Sequence, residues 1–252
     1  IFLRILRQEH EEIVFSNNFT IYDAADSKSL VKSIIKEMEL DDKTYKPSMV
    51  LGVISNAKNQ LVTAEQYVSN RANAQMDARH NMAMLGQIFM RYCSRCKQSD
   101  AMDFDDILLY TYMLFEKYPE VSEKWEQRFR YVLVDEYQDT NYAQHRIVWQ
   151  LTRHHQHVCV VGDDAQSTYG FRGANIDNIL TFQKIYNDAK LFKLERNYRS
   201  TQNIVEAANS LIKKNTHQIQ KDIFSENDRG EKLHVLDTHS DLEEAKMVVN
   251  EA

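Results

Sequence analysis

Two apolar runs that end abruptly in carboxylates constrain this chain more than any other feature. Val132-Leu133-Val134 empties into Asp135-Glu136-Tyr137-Gln138-Asp139-Thr140, and Val158-Cys159-Val160-Val161 empties into Gly162-Asp163-Asp164. Each reads as a buried parallel strand, and open α/β sheets bind their ligands at the carboxyl ends of such strands. Two adjacent carboxylates there suit one metal and one water. Strand-end carboxylates also cap following helices, a role open to Asp139 or Thr140. A third strand-like run, Lys190 to Leu194, leads into Glu195-Arg196-Asn197-Tyr198-Arg199-Ser200-Thr201.

The rest of the chain supplies the helices that parallel strands need. From Tyr22 to Gln98 the apolar spacing is almost entirely helical, with Leu30, Val31, Ile34, Ile35 and Met38 on one face and Asp26 or Ser27 as the cap. Pro47 and Ser48 punctuate before Val50, and Thr63-Ala64-Glu65-Gln66 has the form of a capping box. Ala78, Met82, Leu85, Phe89, Cys93 and Cys96 predict one long helix with a core-facing stripe. After Pro119 the pattern alternates. Helices are expected over 141–155, around Ile176 to Leu180 and from Ile204 to Ile212. A strand is expected at Leu233-His234-Val235-Leu236, and a helix opened by Ser240-Asp241-Leu242-Glu243. Such alternation means a mainly parallel sheet covered by helices.

Between the second and third runs lies Ala165-Gln166-Ser167-Thr168-Tyr169-Gly170-Phe171-Arg172-Gly173-Ala174, which sets an amide, two aromatics and an arginine among glycines. Glycine-bracketed rings tend to be exposed, and exposed rings can stack on bases without reading sequence. Taken in order, Asp135 to Thr140, Gly162 to Ala174 and Leu194 to Thr201 resemble three signature motifs of UvrD/Rep-type superfamily 1 DNA helicases. Asn18 to Asp23, Ile54 to Asn59 and Ala101 to Ile107 resemble the family as well, so the likeness covers nearly the whole chain. Ala165, Thr168 and Phe171 depart from it, standing where aspartate, isoleucine and tryptophan are usual.

The resemblance implies a RecA-like parallel-sheet architecture of the P-loop NTPase type, α/β in class, with an all-helical insertion subdomain. Residues 1–19 and 99–187 would belong to a first RecA-like domain, 20–98 to the insertion and 188–252 to the start of a second RecA-like domain. It further implies ATP and Mg2+ as cofactors. Asp135 would hold the metal and Glu136 would orient the attacking water. Gln166 would sense the terminal phosphate, Arg199 would reach that phosphate and Tyr198 would stack on the adenine. Tyr169, Phe171 and Arg172 would line a track for single-stranded DNA. The activity implied is 3'-5' DNA unwinding in repair or replication restart, on single strands and DNA junctions. For Arg196 a structural salt bridge is the expectation.

Composition places limits on this reading. With 43% hydrophobic and 27% charged residues the chain is that of an ordinary soluble protein, and no apolar run approaches a bilayer span. No membrane role and a cytoplasmic location are therefore expected. A net charge of −6 argues against tight, salt-dependent duplex binding more than against single strands as a substrate. The Cys93-Ser94-Arg95-Cys96 pair has no second pair to complete a zinc site and sits in a helical pattern. None of Gly52, Gly86, Gly162, Gly170, Gly173 and Gly230 lies in a G-x-x-x-x-G-K-[ST] phosphate loop. The chain is accordingly expected to be an internal segment of a helicase, inactive as an ATPase by itself. Three rival readings are a catalytically silent module binding single strands or partners, the motor part of a recombination helicase-nuclease, and an unrelated two-carboxylate hydrolase, which leaves Tyr169 to Arg172 and Tyr198-Arg199 unexplained.

Overall fold

Parallel pairing recurs three times along the chain. In a computed structural model that describes residues 1–170 and 173–251, β1 (Thr20–Ile21) pairs with β2 (Ala101–Met102). β3 (Val132–Val134) pairs with β4 (Val158–Val160), Val132 facing Val158 and Val134 facing Val160. β5 (Arg196–Asn197) pairs with β6 (Phe224–Ser225). Parallel neighbours require a crossover. The helix Tyr142–Thr152 supplies it between β3 and β4, and the helix Gln202–Ile212 between β5 and β6. The class is α/β, rich in helix, with small parallel sheets.

The chain divides into two compact units, Ile1–Asp188 and Ala189–Ala252. In the first, only helices lie between β1 and β2 among the described residues: Ala24–Glu37, Pro47–Asn59, Ala64–Ser69, Arg71–Arg79 and Leu85–Gln98. Four of them, all but Arg71–Arg79, share one core, with Val31, Ile34, Ile54, Leu85, Ile88 and Tyr92 buried in it. A second core joins Phe2–Gln8, Phe104–Lys117, Pro119–Arg128 and Tyr142–Thr152 through Ile5, Leu6, Leu114, Trp125 and Ile147. Of its helices, Tyr142–Thr152 also lies against β3.

Several local expectations change. The first long helix is capped by Asp23, not by Asp26 or Ser27, and Asp26 is the other half of its capping box. Thr63 and Gln66 form the expected box. The stripe from Ala78 to Cys96 does not lie on one helix: Asn81 takes a left-handed conformation (φ 58°) and breaks it into Arg71–Arg79 and Leu85–Gln98. Asparagine tolerates that conformation because its short polar side chain adds little steric cost.

The strand expectations fail where a neighbour is wanting. β3 and β4 are strands, yet they are not buried on both faces: Leu133 is 76% exposed, and Val161 beyond β4 is 53% exposed. Lys190 to Leu194 carries no strand, and pairing begins only at Arg196. Leu233 to Leu236 likewise forms none, and Val235 is 94% exposed. Apolar alternation can nominate a strand, but only a hydrogen-bonded neighbour makes one.

Candidate active site

The acid segment is shaped by the end of the β3–β4 pair. Val161 N–H donates to the Val134 carbonyl at 2.9 Å, and Tyr137 N–H donates back to the Val161 carbonyl at 2.9 Å. Asp135 and Glu136 fill the turn between these two bonds, and both are exposed. Glu136 is left-handed (φ 50°, ψ 43°), and its N–H donates to Asp135 Oδ1 at 2.9 Å. A glutamate in this region costs about 1–3 kcal/mol, a strain concentrated at functional sites. Beneath it Tyr137 is wholly buried, its hydroxyl 2.7 Å from His145 Nδ1 and its ring edge-on to Phe182. Burial raises the Tyr137 pKa, and burial aided by Arg146 lowers that of His145.

Gln138, one residue further and 1% exposed, ties this turn to the next loop. Its Nε2 donates to Glu136 Oε2 at 2.7 Å and its Oε1 accepts from Asp163 N–H at 3.0 Å. Ser167 Oγ donates to its carbonyl at 3.2 Å. Gln166 is exposed and donates from Nε2 to Asp163 Oδ2 at 2.7 Å. Tyr169 is 42% exposed and its carbonyl accepts from Ala174 N–H, while Gly173 N–H donates to Gly170 O. Gly173 has φ +83°, a conformation glycine adopts at no steric cost. Phe171 and Arg172 lie outside the described residues. The far side of the loop is fastened by an Asn141–Ala174 bridge, and by Asn178 Nδ2 donating to the Thr140 carbonyl at 3.0 Å. The structure thus brings Asp135, Glu136 and Gln166 onto adjoining segments of one unit.

A cavity of about 520 Å³ opens beside these carboxylates, with Leu133, Val134 and Val148 on its apolar side and Asp135, Glu136 and Asp139 on its acidic side. Asp139 Oδ1 is buried there without a hydrogen-bond partner.

The sequence did not reveal a buried polar network that backs the site. Lys58, 0% exposed, lies 2.7 Å from both Asp103 and Asp106, and Tyr92 donates to Asp103 at 2.7 Å. Burial opposes the lysine's charge, but Asp106 and Asp103 outweigh it and hold its pKa well above the ordinary value. Burial raises Asp106, while Lys58 overcomes burial at Asp103 and lowers it. Next to Lys58, Asn59 Nδ2 donates to Asp105 Oδ1 at 2.9 Å and Asn59 Oδ1 accepts from Asn141 Nδ2 at 2.6 Å. The only signal was the likeness of Ile54 to Asn59 and Ala101 to Ile107 to the helicase pattern; these two segments meet here.

Tyr198 and Arg199 stand in the second unit. Asn197 Oδ1 accepts from the N–H groups of Arg199 and Ser200 at 2.9 and 2.8 Å, an Asx turn in which Tyr198 and Arg199 are both exposed. Tyr198 is 75% exposed, with the Arg196 guanidinium 4.7 Å from its ring centre. Arg196 pairs with Glu226 at 2.5 Å, as expected of a structural arginine, though an exposed pair of this kind is worth about 0–1 kcal/mol.

Metal ligation here would be sparse. Among the described residues no cluster of three His, Cys, Asp or Glu side chains could hold an ion. Cys93 and Cys96 are free thiols that burial pushes up to about 12. What Asp135 offers is a single hard oxygen donor at a strand end. That fits Mg2+, which keeps most of its waters and takes its remaining ligands from one or two carboxylates and a phosphate.

Comparison with known proteins gives the family. Residues 1–187 match the model of the UvrD/REP helicase N-terminal domain, and residues 192–252 match that of the UvrD-like helicase C-terminal domain. The chain is 42% identical over 250 residues to the ATP-dependent DNA helicase PcrA of Staphylococcus aureus, covering 99% of this chain and 33% of the relative. It is 41% identical over 250 residues to PcrA of Staphylococcus epidermidis, with the same coverage. The chain therefore spans about a third of the length of the curated relatives it matches.

Proposed function

The chain belongs to the UvrD/REP helicase family, and on that premise we propose that it forms part of an ATP-dependent DNA helicase that moves 3'-5' along single-stranded DNA. In this reading residues 1–19 and 99–187 contribute to a first RecA-like domain. Residues 20–98 are its helical insertion, and 188–252 begin a second RecA-like domain. The observation that carries it is Glu136, held left-handed at the end of β3 with its carboxylate fastened by Gln138. A general base must be fixed in direction before it can orient a water.

Phosphoryl transfer needs a held metal, a positioned water and positive charge on the transferring group. Asp135 would hold Mg2+, which when bound supplies charge neutralisation at the terminal phosphates. Glu136 orients the water and accepts its proton. Gln166, tethered through Asp163 to Gln138, sits where a change at the phosphate would be felt by the loop carrying Tyr169. Arg199 supplies fixed positive charge, for which a guanidinium is better suited than an ammonium. Tyr198 stacks on the adenine, and its exposure supports that role. Tyr169, Phe171 and Arg172 grip single-stranded DNA, each ring worth about 1–3 kcal/mol per stacked base. A cytoplasmic site of action at DNA junctions, in repair or replication restart, completes the proposal. No described helix is long and apolar enough to cross a membrane.

The test is ATP hydrolysis with Mg2+, with and without single-stranded DNA, by this 252-residue chain and by the complete gene product that contains it. The complete protein is expected to turn over ATP in a DNA-stimulated manner and to lose about 10²-fold or more in Glu136→Gln, the scale of a general base. The 252-residue chain is expected to show no turnover, since it carries no G-x-x-x-x-G-K-[ST] sequence. Turnover that survives Glu136→Gln would sink the assignment.

A further inference from the structure

The side chain of Gln138 is placed between two partners that dictate which way round it lies. Asp163 N–H can only donate, so the atom 3.0 Å from it must be the amide oxygen. That leaves the amide nitrogen facing Glu136 Oε2 at 2.7 Å, and an ionised carboxylate can only accept. Both bonds are therefore satisfied in one orientation and neither in the flipped one. The room for this comes from Gly162, where an added Cβ would fall 2.3 Å from Gln138 Oε1. With 1% exposure the amide is also out of competition with water.

We infer that Gln138 is a positioning residue that aims the Glu136 carboxylate and ties that aim to the loop bearing Gln166. The inference rests on the reading of Glu136 as the group that orients water. Glutamine alone among the common side chains of this length offers a donor to a carboxylate and an acceptor to a backbone N–H at once. An ionised glutamate keeps the acceptor for Asp163 N–H and loses the donor to Glu136, so Gln138→Glu separates the two functions.

The experiment uses the complete protein with saturating single-stranded DNA, and compares wild type, Glu136→Gln, Gln138→Glu and Gln138→Met. Gln138→Glu is expected to lower kcat for ATP by about tenfold or more, within the range of acid–base catalysis, with KM for ATP within about threefold. Gln138→Met, neutral and of similar length, is expected to lower kcat by a like factor with KM for ATP again within about threefold, and it carries the test if the glutamate variant does not fold. A wild-type kcat in either folded variant, beside an inactive Glu136→Gln, overturns the role of Gln138 alone. A Glu136→Gln protein that still turns over ATP overturns the reading of Glu136 and this inference with it.

Discussion

The ammonium of Lys58 lies out of reach of water, 2.7 Å from each of two carboxylates. Removing one member of such a group leaves buried charge without compensation, so Lys58→Met is expected to lower stability by about 3–5 kcal/mol in urea unfolding of the 252-residue chain. A loss under about 1 kcal/mol would mean the carboxylates rehydrate. The pH dependence has a definite sign. Lys58's folded pKa is raised, so its contribution is complete below the unfolded lysine value and is lost as pH rises through the higher folded one. Asp135 and Glu136 were legible because a strand that ends in acids is a pattern in sequence alone. Lys58 and Gln138 were not, because a long polar side chain in a helix or turn reads as solvent-facing until its partner, many residues away, is known.

At the scale of elements, the Pro47–Asn59 helix is tied to the cap of the Tyr142–Thr152 helix by a hydrogen bond from Asn141 Nδ2 to Asn59 Oδ1. Asn141 is also the cap of its own helix, accepting from Gln144 N–H at 2.8 Å. A double-mutant cycle of Asn59→Ala and Asn141→Ala, read by urea unfolding, is expected to give a coupling of about 0.5–3 kcal/mol. Asn141→Ala alone should cost more than the roughly 1 kcal/mol of a simple cap. Additive single effects would show that the contact carries no energy. Helices were the more legible elements, since their period and caps are local: Thr63 and Gln66, or the run from Ile204 to Ile212, announce themselves. Strands depend on distant neighbours, which is why Val132 to Val134 formed one and Lys190 to Leu194 did not.

At the scale of the molecule, both apolar cores belong to residues before Asp188, and Val205 is the only buried hydrophobic side chain described after it. A chain ending at Asp188 is expected to unfold in one cooperative thermal transition followed by circular dichroism. Residues 189–252 alone are expected to show none, for want of buried apolar area. A gradual loss in the first, or a sharp transition in the second, would contradict this division. The exposed face of the β3–β4 pair carries one more consequence. Cys159, opposite Leu133 in that pair, is the exposed thiol, while Cys96 is buried and Cys93 half-buried, both with thiols pushed up to about 12. A thiol-selective fluorophore would therefore find a single anchor on the folded chain, on the strand that runs into the Gln166 loop, and the native sequence already serves as its own reporter scaffold.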